Sequence, residues 1–559
     1  MKKYVEKKLS NESELIPGFG LVESVIFREN GFNTAEEIFE DFPDLFKKSW
    51  LTKFLNTEIT GIGNQDKFVE YIQQHKNSHY CIIGDYDADG IMATTVMKII
   101  LDQYGVGQCD YIIPNRLTDG YGIKEKHVDR AIELGADVII TVDNGITAND
   151  VVTYSKSKGL DIIITDHHIP DLNNLPNADV IINPHLTDKM EHICGAFVAL
   201  KLGNALLDFS IKENEYALKD AALFSAVATI SDVMPLFGEN RSLVKYVLDN
   251  VNYYKLKNIW SGRTLKFLAG FGVESWLLKN EDLYITEDTF GYYVGPTINA
   301  SGRVTGKTES IVGDIIDSIV YKQYINGYRQ INRERREKTR DIFKEHIAHP
   351  EENIGFMIID AENYEYPIGG LIGLVANRIS DVEQKPAFVG TDKDGKLSFS
   401  CRSVPGYSLY EGLNRFLVAN PETTITGGGH DGAIGIRVPE VKDIEKLKAH
   451  FSEDYINHST DIDENVFAFD SGMAQEIFEA HYALVPFGKN FRKLKFQYTG
   501  IVTKYDEVAR QLIIDDMPFR TFIYKDNLPA DGTEVKIIFT AMTDSAVQDQ
   551  FKIEELEVL

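Results

Sequence analysis

The sequence predicts an α/β protein: a mostly parallel sheet, a long connecting helix, a second α/β domain and a small C-terminal β-barrel. Three observations lead to this class. Apolar strand-like runs alternate with helix-like runs between residues 78 and 240, which is typical of β-α-β units. A charged, glycine-poor stretch precedes a second α/β unit. Beyond residue 465 the chain contains short alternating runs with turn signals.

The composition is that of a multidomain soluble protein. The chain has 559 residues, of which 43% are hydrophobic and 26% charged, and typical domain sizes predict about three or four domains. The four cysteines form no CxxC pair, and the N-terminus has no apolar signal segment, so we expect reduced thiols, a cytoplasmic location and no membrane contact. The expected regions are an N-terminal helical region (1–77), three middle domains (78–240, 241–350 and 351–455) and a β domain (465–559).

The formal net charge is −27. A protein that coats nucleic acid nonspecifically needs a basic surface to neutralise phosphates, so this charge argues against such a role. An enzyme that holds one strand through metals and a few arginines can be acidic elsewhere. The charge therefore counts against a DNA-coating scaffold more than against a nuclease.

The first two regions are read from their apolar patterns. Residues 1–77 look helical and polar, with Phe42, Leu45 and Phe46 on one apolar side, and we assign no chemistry to them. The next region alternates strands and helices, with glycine stop signals after its helices. Its expected strands are Tyr80–Gly84, Asp110–Ile113, Val138–Val142, the run that starts at Ile162, and Val180–Ile182. Its expected helices are Ile91–Gln103, Lys124–Leu134, Thr147–Lys158, Cys194–Leu207 and Ala217–Val227.

The second half begins with a boundary element. The charged stretch Ser310–His349 is most simply one solvated connecting helix that Pro350 stops. A second α/β unit follows, with strands expected at Ile354–Asp360, Lys385–Val389 and 397–403. The C-terminal strands expected to build the barrel are LKFQYTGIV, QLIIDD, RTFIYK and EVKIIFTAM.

Acidic residues and histidines stand where successive strands of the first sheet end. They are Asp85, Asp87, Asp89, Asp143, Asp166, His167, His168 and, after a later apolar segment, Asp232. The carboxyl ends of parallel strands share one edge, so these side chains are expected to be neighbours. Crowded carboxylates repel one another unless a cation binds them. Oxygen and imidazole ligands without thiolate favour Mn²⁺ or Mg²⁺, and a shared aspartate would hold two ions about 3.5–4 Å apart.

Each of these motifs also has a purely structural interpretation. A DxD sequence in a loop is often a turn or a helix N-cap, and DNG is a good turn sequence. DHH can be a polar loop after a core strand, and GGGH can be a flexible turn. Their repetition at successive strand ends favours chemistry over structure.

Six motifs together resemble those of the DHH phosphoesterase superfamily and of its RecJ branch. They are GDYDADG (84–90), TVDNG (141–145), ITDHH (164–168) and ATISDVMPL (228–236) for the superfamily, and INASGR (298–303) and GGGHDGAIG (427–435) for the branch. The resemblance covers roughly residues 78–440. It implies a DHH domain, a DHH-associated C-terminal domain and, from strand pattern and VPFG alone, an OB-like barrel.

The resemblance implies roles for individual residues. Metal ligands for two Mn²⁺ or Mg²⁺ ions are Asp87, Asp89, Asp143, His167 and Asp232, with Asp85 as an additional ligand and Asp143 as the bridge. His168 is expected to face the scissile phosphate, and His168, Asp143 and Asp166 form the catalytic set. The expected substrate-binding residues are Asn299, Ser301, Arg303, Arg402, Gly427, Gly428, Gly429 and His430.

The chain also departs from the family's pattern. Ile83 stands where many members have a histidine, and Thr297 stands where the family often has an arginine. Asp431 and Gly432 replace small apolar residues, and VPFGKNF lacks the usual glycine-asparagine-proline continuation. These departures bear on substrate length, processivity and the barrel's DNA role more than on the chemistry.

The function implied by the resemblance is hydrolysis of single-stranded DNA from its 5′ end to mononucleotides, in DNA repair and recombination. Single-stranded DNA is the expected partner, a single-strand-binding protein or a helicase are further candidates, and a monomer is expected. One alternative is a DHH phosphoesterase acting on short oligonucleotides, cyclic dinucleotides or pyrophosphate, although the extra barrel favours a polymer. The other is a non-catalytic replication scaffold, which would be expected to have lost ligands that this chain retains.

Overall fold

A computed structural model describes most of the chain. It covers residues 2–9, 15–45, 55, 61–187, 192–253, 264, 267–268, 285–317, 322–349, 351–393, 396–521, 528–542 and 550–559. Among these residues, no helix combines the length and apolar character needed to cross a membrane.

The strands form three sheets within the described residues. In chain order they are β1 (Lys2–Lys7), β2 (His79–Ile83), β3 (Gln108–Ile112), β4 (Val138–Val142), β5 (Asp161–Thr165), β6 (Val180–Ile182), β7 (Gly355–Asp360), β8 (Ala387–Lys393), β9 (Lys396–Arg402), β10 (Thr426–His430), β11 (Ala433–Val438), β12 (Ile462–Ala468), β13 (Phe496–Asp506), β14 (Gln511–Ile514), β15 (Met517–Arg520), β16 (Glu534–Met542) and β17 (Gln550–Val558).

The longer helices cover the sheets and connect them. In chain order they are α1 (Leu21–Glu29), α2 (Ala35–Asp41), α3 (Gln65–Gln74), α4 (Ala88–Tyr104), α5 (Glu125–Leu134), α6 (Asn149–Ser157), α7 (Gly195–Leu206), α8 (Lys212–Ser231), α9 (Gly238–Tyr253), α10 (Gly295–Val304), α11 (Glu309–Ile316), α12 (Lys322–Lys344), α13 (Ile372–Glu383), α14 (Leu409–Ala419), α15 (Ile444–His458) and α16 (Ala474–Leu484).

The first sheet is entirely parallel, with strand order β3-β2-β4-β5-β6. The apolar runs of β4 and β5 are buried on both faces, which explains why they lack polar alternation. One face packs on α4, α7 and α8, whose many buried residues form the largest core with the sheet. The sheet and its five expected strands confirm the predicted α/β class.

The second α/β unit has a mixed sheet of order β10-β11-β9-β8-β7, in which only the β7–β8 pair is parallel. Strand β10 contains the GGGH sequence and lies at the edge of this sheet. The alternative interpretation of GGGH as a flexible turn is therefore wrong, because these residues pair with β11. The chain approaches β11 so closely at Gly429 that an added Cβ would lie 2.3 Å from the Ala433 carbonyl oxygen.

The C-terminal strands close a five-stranded barrel of β13, β14, β15, β17 and β16, because β13 also pairs with β16. This closure confirms the predicted small OB-like barrel. Two strand assignments differ from the prediction. Strand β15 ends at Arg520, the first residue of the predicted strand RTFIYK, most of which lies outside the described residues. The charged strand β17 was not predicted.

The N-terminal region is not purely helical. Strand β1 pairs in parallel with β12 at the edge of the barrel's sheet, so the helical prediction is wrong for residues 2–7. The sequence KKYVEK has no alternation of apolar and polar residues, so only its pairing with the distant strand β12 reveals this edge strand. Helices α1 and α2 also belong to the barrel's hydrophobic core, where the Phe42 and Phe491 rings lie 4.7 Å apart.

Arg241 of α9 joins this N-terminal region to the rest of the protein. Its guanidinium is fully buried, pairs with Asp44 at 3.2 Å and donates to the Leu484 and Pro486 carbonyl oxygens. It also lies over the Phe42 and Phe491 rings. One side chain thus connects three regions that are far apart in sequence.

The predicted connecting helix Ser310–His349 is two helices, α11 and α12, and α12 ends at Lys344. Helix α12 is not solvated on all sides, because Asn332, Thr339 and Ile342 are buried. The side-chain amide of Asn332 donates a hydrogen bond to the Thr297 hydroxyl of α10 at 3.1 Å. Pro350, and most of residues 254–284, lie outside the described part of the chain.

Candidate metal centre

The predicted ligands meet at the carboxyl edge of the parallel sheet. Ligand atoms of Asp85, Asp87 and Asp143 lie within 4.8 Å of one another, and so do those of Asp89, His167 and Asp232. His167 Nε2 lies 3.0 Å from Asp143 Oδ1, which places Asp143 beside both groups. The structure therefore brings all six predicted metal ligands into two adjoining groups.

The loop after β2 orients the DxD carboxylates. Asp87 is the N-cap of α4 and accepts hydrogen bonds from the backbone N–H groups of Asp89 and Gly90 through one oxygen. Asp89 accepts from the Gly195 and Ala196 N–H groups at the start of α7. Helix N-termini carry partial positive charge, so both carboxylates are stabilised and held in place before any ion binds.

Asp143 has an unusual backbone. It directly follows β4, and its φ of 60° lies in the left-handed region that non-glycine residues rarely adopt. Gly195 makes room for it, because a Cβ at Gly195 would lie 2.6 Å from the Asp143 Cβ. Strain of this kind concentrates at functional sites, where it aims a side chain.

Two of these carboxylates have a buried oxygen that accepts no hydrogen bond. Asp85 Oδ1 and Asp143 Oδ1 are buried without a hydrogen-bond partner. Burial and neighbouring carboxylates raise the pKa of Asp85 and of Asp143 well above the usual range, and raise that of Asp232 to about 8. Burial lowers the pKa of His167, which keeps its ring neutral and able to ligate. Divalent cations fit this set of oxygen and imidazole donors.

Asp166 and His168 form a pair beside these ligands, and a ring nitrogen of His168 also lies within 4.8 Å of ligand atoms of Asp143 and His167. Asp166 accepts hydrogen bonds from the N–H groups of Ile146, His167 and His168, and lies 2.8 Å from His168 Nδ1. Burial alone would lower the pKa of His168, but this hydrogen bond and the surrounding negative charge raise it to about 9. Asp166 thus orients the His168 ring, which is partly exposed.

Tyr121 is a site residue that the sequence analysis missed. Its hydroxyl lies 3.1 Å from His168 Nδ1 and 3.4 Å from the Asp143 carbonyl oxygen. It comes from the loop after β3, where DGYG was assigned only as a loop. A tyrosine between two glycines is common in loops of any kind, so the motif gave no signal for this role.

Arginines from several elements lie near Arg303, whose charge also interacts with that of Asp87. Burial and the charges of Arg116 and Arg335 lower the pKa of Arg303 to about 9, with Arg402 contributing in the same direction. Arg303 also donates to the Gly370 carbonyl oxygen at 3.2 Å, across the boundary between the two α/β units. Arg303 and Arg402 were predicted as substrate-binding residues. Arg116, in a loop, and Arg335, in a charged helix, were not.

The other predicted substrate-binding residues have different surroundings. Asn299 accepts a hydrogen bond from the Ala88 N–H at 2.8 Å, so it holds the DxD loop. Ser301 is 1% exposed, which argues against the predicted contact with substrate. Gly427, Gly428, Gly429 and His430 are exposed on the edge strand β10, where backbone groups on the outer side face away from β11.

A loop before the barrel reaches the same region. The Leu236 N–H, four residues after Asp232, donates to the Lys489 carbonyl oxygen at 2.9 Å. The positive charge of Lys489 opposes the rise in the pKa of Asp232 and contributes to the lowered pKa of His430. The VPFGKNF sequence, whose role was left open, thus brings a lysine close to both α/β units.

Comparisons with known proteins agree with this architecture. Residues 79–229 match the DHH family, N-terminal domain, and residues 365–457 match the DHHA1 domain. Single-stranded-DNA-specific exonuclease RecJ of Bacillus subtilis is 30% identical, with 82% of this chain and 54% of that protein covered. Its counterpart from Salmonella typhimurium is 28% identical, covering 71% and 69%.

A solved structure shares the fold across the whole chain. RecJ from Thermus thermophilus in complex with Mn²⁺ has a TM-score of 0.73 at 21% identity, covering 99% of this chain and 79% of that one. The present chain thus spans about half to two thirds of its curated relatives' length and most of the solved one. The chain thus contains a DHH domain followed by a DHHA1 domain and is similar to RecJ proteins over most of its length.

Proposed function

We propose that the protein is a metal-dependent exonuclease that hydrolyses single-stranded DNA from its 5′ end and releases 5′-mononucleotides. The observation that carries this proposal is the pair of ligand groups adjoining at Asp143, with the charge of Arg303 interacting with that of Asp87. A role in DNA repair and recombination, and monomeric action with a single-strand-binding protein or a helicase nearby, are part of the same proposal.

The residues of the site have different roles in the proposed reaction. The two ligand groups would hold two Mn²⁺ or Mg²⁺ ions, which activate water and neutralise a phosphoryl centre when bound. Arg303 and Arg402 would bind the phosphate, since guanidinium groups match phosphate oxygens in pairs. Protonated His168 would donate to a phosphoryl oxygen or to the leaving oxygen, with Asp166 and Tyr121 fixing its ring.

The bond changes define the products. The water oxygen bonds to phosphorus, and the bond from phosphorus to the 3′ oxygen of the terminal nucleotide breaks. His168 supplies the proton that this 3′ oxygen needs, and the attacking water gives up one proton. The released nucleotide carries a 3′-hydroxyl, and the shortened strand carries a new 5′-phosphate.

The decisive experiment is a substrate panel. The purified protein is incubated with Mn²⁺ and 5′- or 3′-labelled single strands, blunt duplex DNA, RNA and dinucleotides, and the products are identified. We expect mononucleotides from single-stranded DNA at the 5′ end first. Cleavage of dinucleotides alone would show a small-substrate phosphoesterase, and no metal-dependent cleavage of any substrate would refute the enzyme.

A further inference from the structure

The loop before the barrel contains a tight turn, Gly488–Phe491, to which the proposed reaction gives no role. The turn belongs to the VPFGKNF sequence. The Gly488 N–H donates to the Phe491 carbonyl oxygen at 2.8 Å, and the Phe491 N–H donates to the Gly488 carbonyl oxygen at 3.2 Å. Asn490 has a φ of 62°, a left-handed conformation that asparagine adopts more readily than most residues. Lys489 therefore lies at the tip of a regular two-residue turn.

The turn is anchored to the N-terminal region. The Arg492 N–H donates to Asn30 Oδ1 at 2.6 Å, and the Asn30 side-chain amide donates to the Arg492 carbonyl oxygen at 2.9 Å. Asn30 is the C-cap of α1. The Phe487 and Phe491 rings stack beneath the turn with their centroids 5.2 Å apart. These contacts give the backbone of Lys489 a defined position.

The turn also packs on the segment that follows the metal ligand Asp232. The Leu236 N–H donates to the Lys489 carbonyl oxygen at 2.9 Å. The approach is close, because a Cβ at Gly488 would lie 2.7 Å from Leu236 Cδ1. The two residues after Asp232 donate their N–H groups to carbonyl oxygens in the last turn of α8, which fixes this segment. The turn and the metal ligand are therefore held in one relative position.

The Lys489 side chain is exposed and has no acidic partner among the described residues. Two neighbouring lysines differ in this respect. Lys493 lies 3.4 Å from Asp288, and Lys495 lies 3.0 Å from Glu464. An ammonium group that no carboxylate neutralises can bind an anionic ligand without first breaking an ion pair.

The charge of Lys489 acts on residues of both α/β units. Burial and the charges of Arg402 and Lys489 lower the pKa of His430. The charge of Lys489 also opposes the rise in the pKa of Asp232 that burial causes. The Asp232 side chain is 32% exposed, whereas that of Asp143 is 3% exposed. The metal centre is thus more open on the side of Asp232, where the turn lies.

Building on the proposed function, we propose that Lys489 is a substrate-binding residue of the metal centre and that its ammonium group donates a hydrogen bond to the reacting phosphate. A fixed cation at this place stabilises the negative charge that develops on the phosphate oxygens during the displacement. The loop before the barrel would thus complete a site that the two α/β units form. This role also accounts for a lysine that is held beside Asp232 without an acidic partner in the described part of the chain.

The test compares Lys489→Met, which removes the charge, with Lys489→Arg, which keeps it. The matched control is Arg492→Gln, because Arg492 is an exposed cation of the same loop that lines a different cleft, with Asp288 and Tyr292. Turnover and KM are measured with Mn²⁺ on a long single strand and on a dinucleotide. Calorimetry measures the binding of Mn²⁺ and, with Mn²⁺ present, of thymidine 5′-monophosphate, whose phosphate matches the 5′ end of the shortened strand.

Lys489→Met should lose activity on both substrates by the same factor, because both present the same reacting phosphate. We expect kcat/KM to fall roughly 10–100-fold and thymidine 5′-monophosphate to bind about tenfold more weakly, as for loss of a hydrogen bond to a charged group. Lys489→Arg should keep most of the activity, and Arg492→Gln should match the unmodified protein. The stoichiometry of Mn²⁺ and the melting temperature should be the same in all four proteins.

Three outcomes would overturn the role of Lys489. They are a loss on long strands alone, unchanged binding of thymidine 5′-monophosphate by Lys489→Met, and a lower melting temperature with equal losses in Lys489→Met and Lys489→Arg, which would make the lysine structural. Failure of the proposed function looks different, because the unmodified protein would then cleave no substrate. Weaker binding of thymidine 5′-monophosphate by Lys489→Met would still support the phosphate contact in that case.

Discussion

At the scale of single residues, the site contains buried carboxylates that lie close together. Their negative charges repel one another until a cation binds them. Asp143 combines a left-handed backbone, a partnerless buried oxygen and a pKa well above the usual range because of burial and nearby carboxylates. Such a residue destabilises the metal-free fold and favours the metal-bound one. Removal of its charge alone should therefore weaken metal binding while preserving or raising the stability of the metal-free protein.

Asp143→Asn should keep the fold but lose the metal centre. Asparagine tolerates a positive φ and removes only the charge. We expect Mn²⁺ affinity, measured by calorimetry, to fall more than about 100-fold, which exceeds typical losses from outer-shell changes. The metal-free variant should melt at the same or a higher temperature. Asp143→Ala should lose metal equally but melt at a lower temperature, because alanine is strained at this φ. Retained Mn²⁺-dependent activity in either variant would contradict the assignment of Asp143 as a metal ligand.

His168→Gln should separate chemistry from metal binding. The His168 ring is held by Asp166 and Tyr121 beside the ligand groups, whereas His167 Nε2 faces the ligand oxygens. We expect turnover to fall by roughly 10²–10⁴ with unchanged metal stoichiometry, as for loss of a general acid. His167→Gln is the matched comparison and should lose bound metal. If the two variants exchanged these behaviours, the two histidine roles would be reversed.

At the scale of elements, the barrel, the N-terminal helices and α9 behave as one unit. Arg241 holds them together through Asp44 and two carbonyl oxygens, and its ring contacts include Phe42 and Phe491. The loop that carries Lys489 begins at these same carbonyls. The position of this loop beside the site therefore depends on a contact far from the chemistry.

Removal of Arg241 should destabilise this unit strongly. In Arg241→Leu the Asp44 carboxylate and the Leu484 and Pro486 carbonyl oxygens stay buried without their donor, which costs about 3–5 kcal/mol. Arg241→Lys should recover only part of the loss, because an ammonium cannot reproduce the planar contacts. Thermal unfolding measures the stability of both variants. If Arg241→Leu melts at the same temperature as the unmodified protein, the contact is dispensable.

The same unit should be sensitive to acid through His481 of α16. Burial lowers the pKa of this histidine well below its usual 6.5, and its ring stacks on Phe487. The folded state thus binds fewer protons than the unfolded state. The stability that neutral His481 provides is complete above about pH 6.5 and declines as the pH falls towards the folded pKa, by up to about 1.4 kcal/mol per pH unit.

His481→Leu should flatten this part of the acid dependence. The difference in unfolding free energy between the variant and the unmodified protein is measured by urea titration at several pH values below 6.5, with chelator present. The exposed His349→Gln is the control and should retain the unmodified slope. Parallel slopes for all three proteins would remove His481 as the cause.

At the scale of the whole molecule, a protein with a large negative net charge can bind a polyanion only through local clusters of positive side chains. The arginines near the metal centre come from a loop, α10, α12 and β9, and so converge from both α/β units. Long-range attraction is weak or repulsive at a net charge of −27. Binding must therefore rest on a small number of close phosphate contacts.

Single strands should be degraded while blunt duplexes are largely spared. The salt slope of single-strand binding should lie between about 3 and 6, corresponding to roughly four to eight phosphate contacts of about 0.7 each. Anisotropy titrations over a salt series measure the slope, and gel analysis measures the products. Efficient digestion of blunt duplex DNA, or a slope near about 10, would instead indicate a long basic track.

The strand pattern and the motifs could be read from the sequence because their physical causes are local. Apolar runs that end in Asp or His identify buried parallel strands, and parallel topology brings their ends to one edge. The two ligand groups follow from these facts, although the assignment of each residue to an ion stays a prediction. The role of Asp166 beside His168 could not be read this way, since it depends on side-chain direction.

What only the tertiary structure decided involves partners distant in sequence. Strand β1 carries no β signal of its own and exists because β12 pairs with it, and Arg241 looks like an ordinary charged helix residue until Asp44 and the Leu484 carbonyl surround it. Arg116, Arg335 and Lys489 are likewise unmarked, because electrostatic roles arise from distance in space. The sequence by itself determined the parallel sheet and the gathering of acidic residues and histidines at its edge, because both follow from local pattern. Long-range packing decided which other charged side chains lie near that edge.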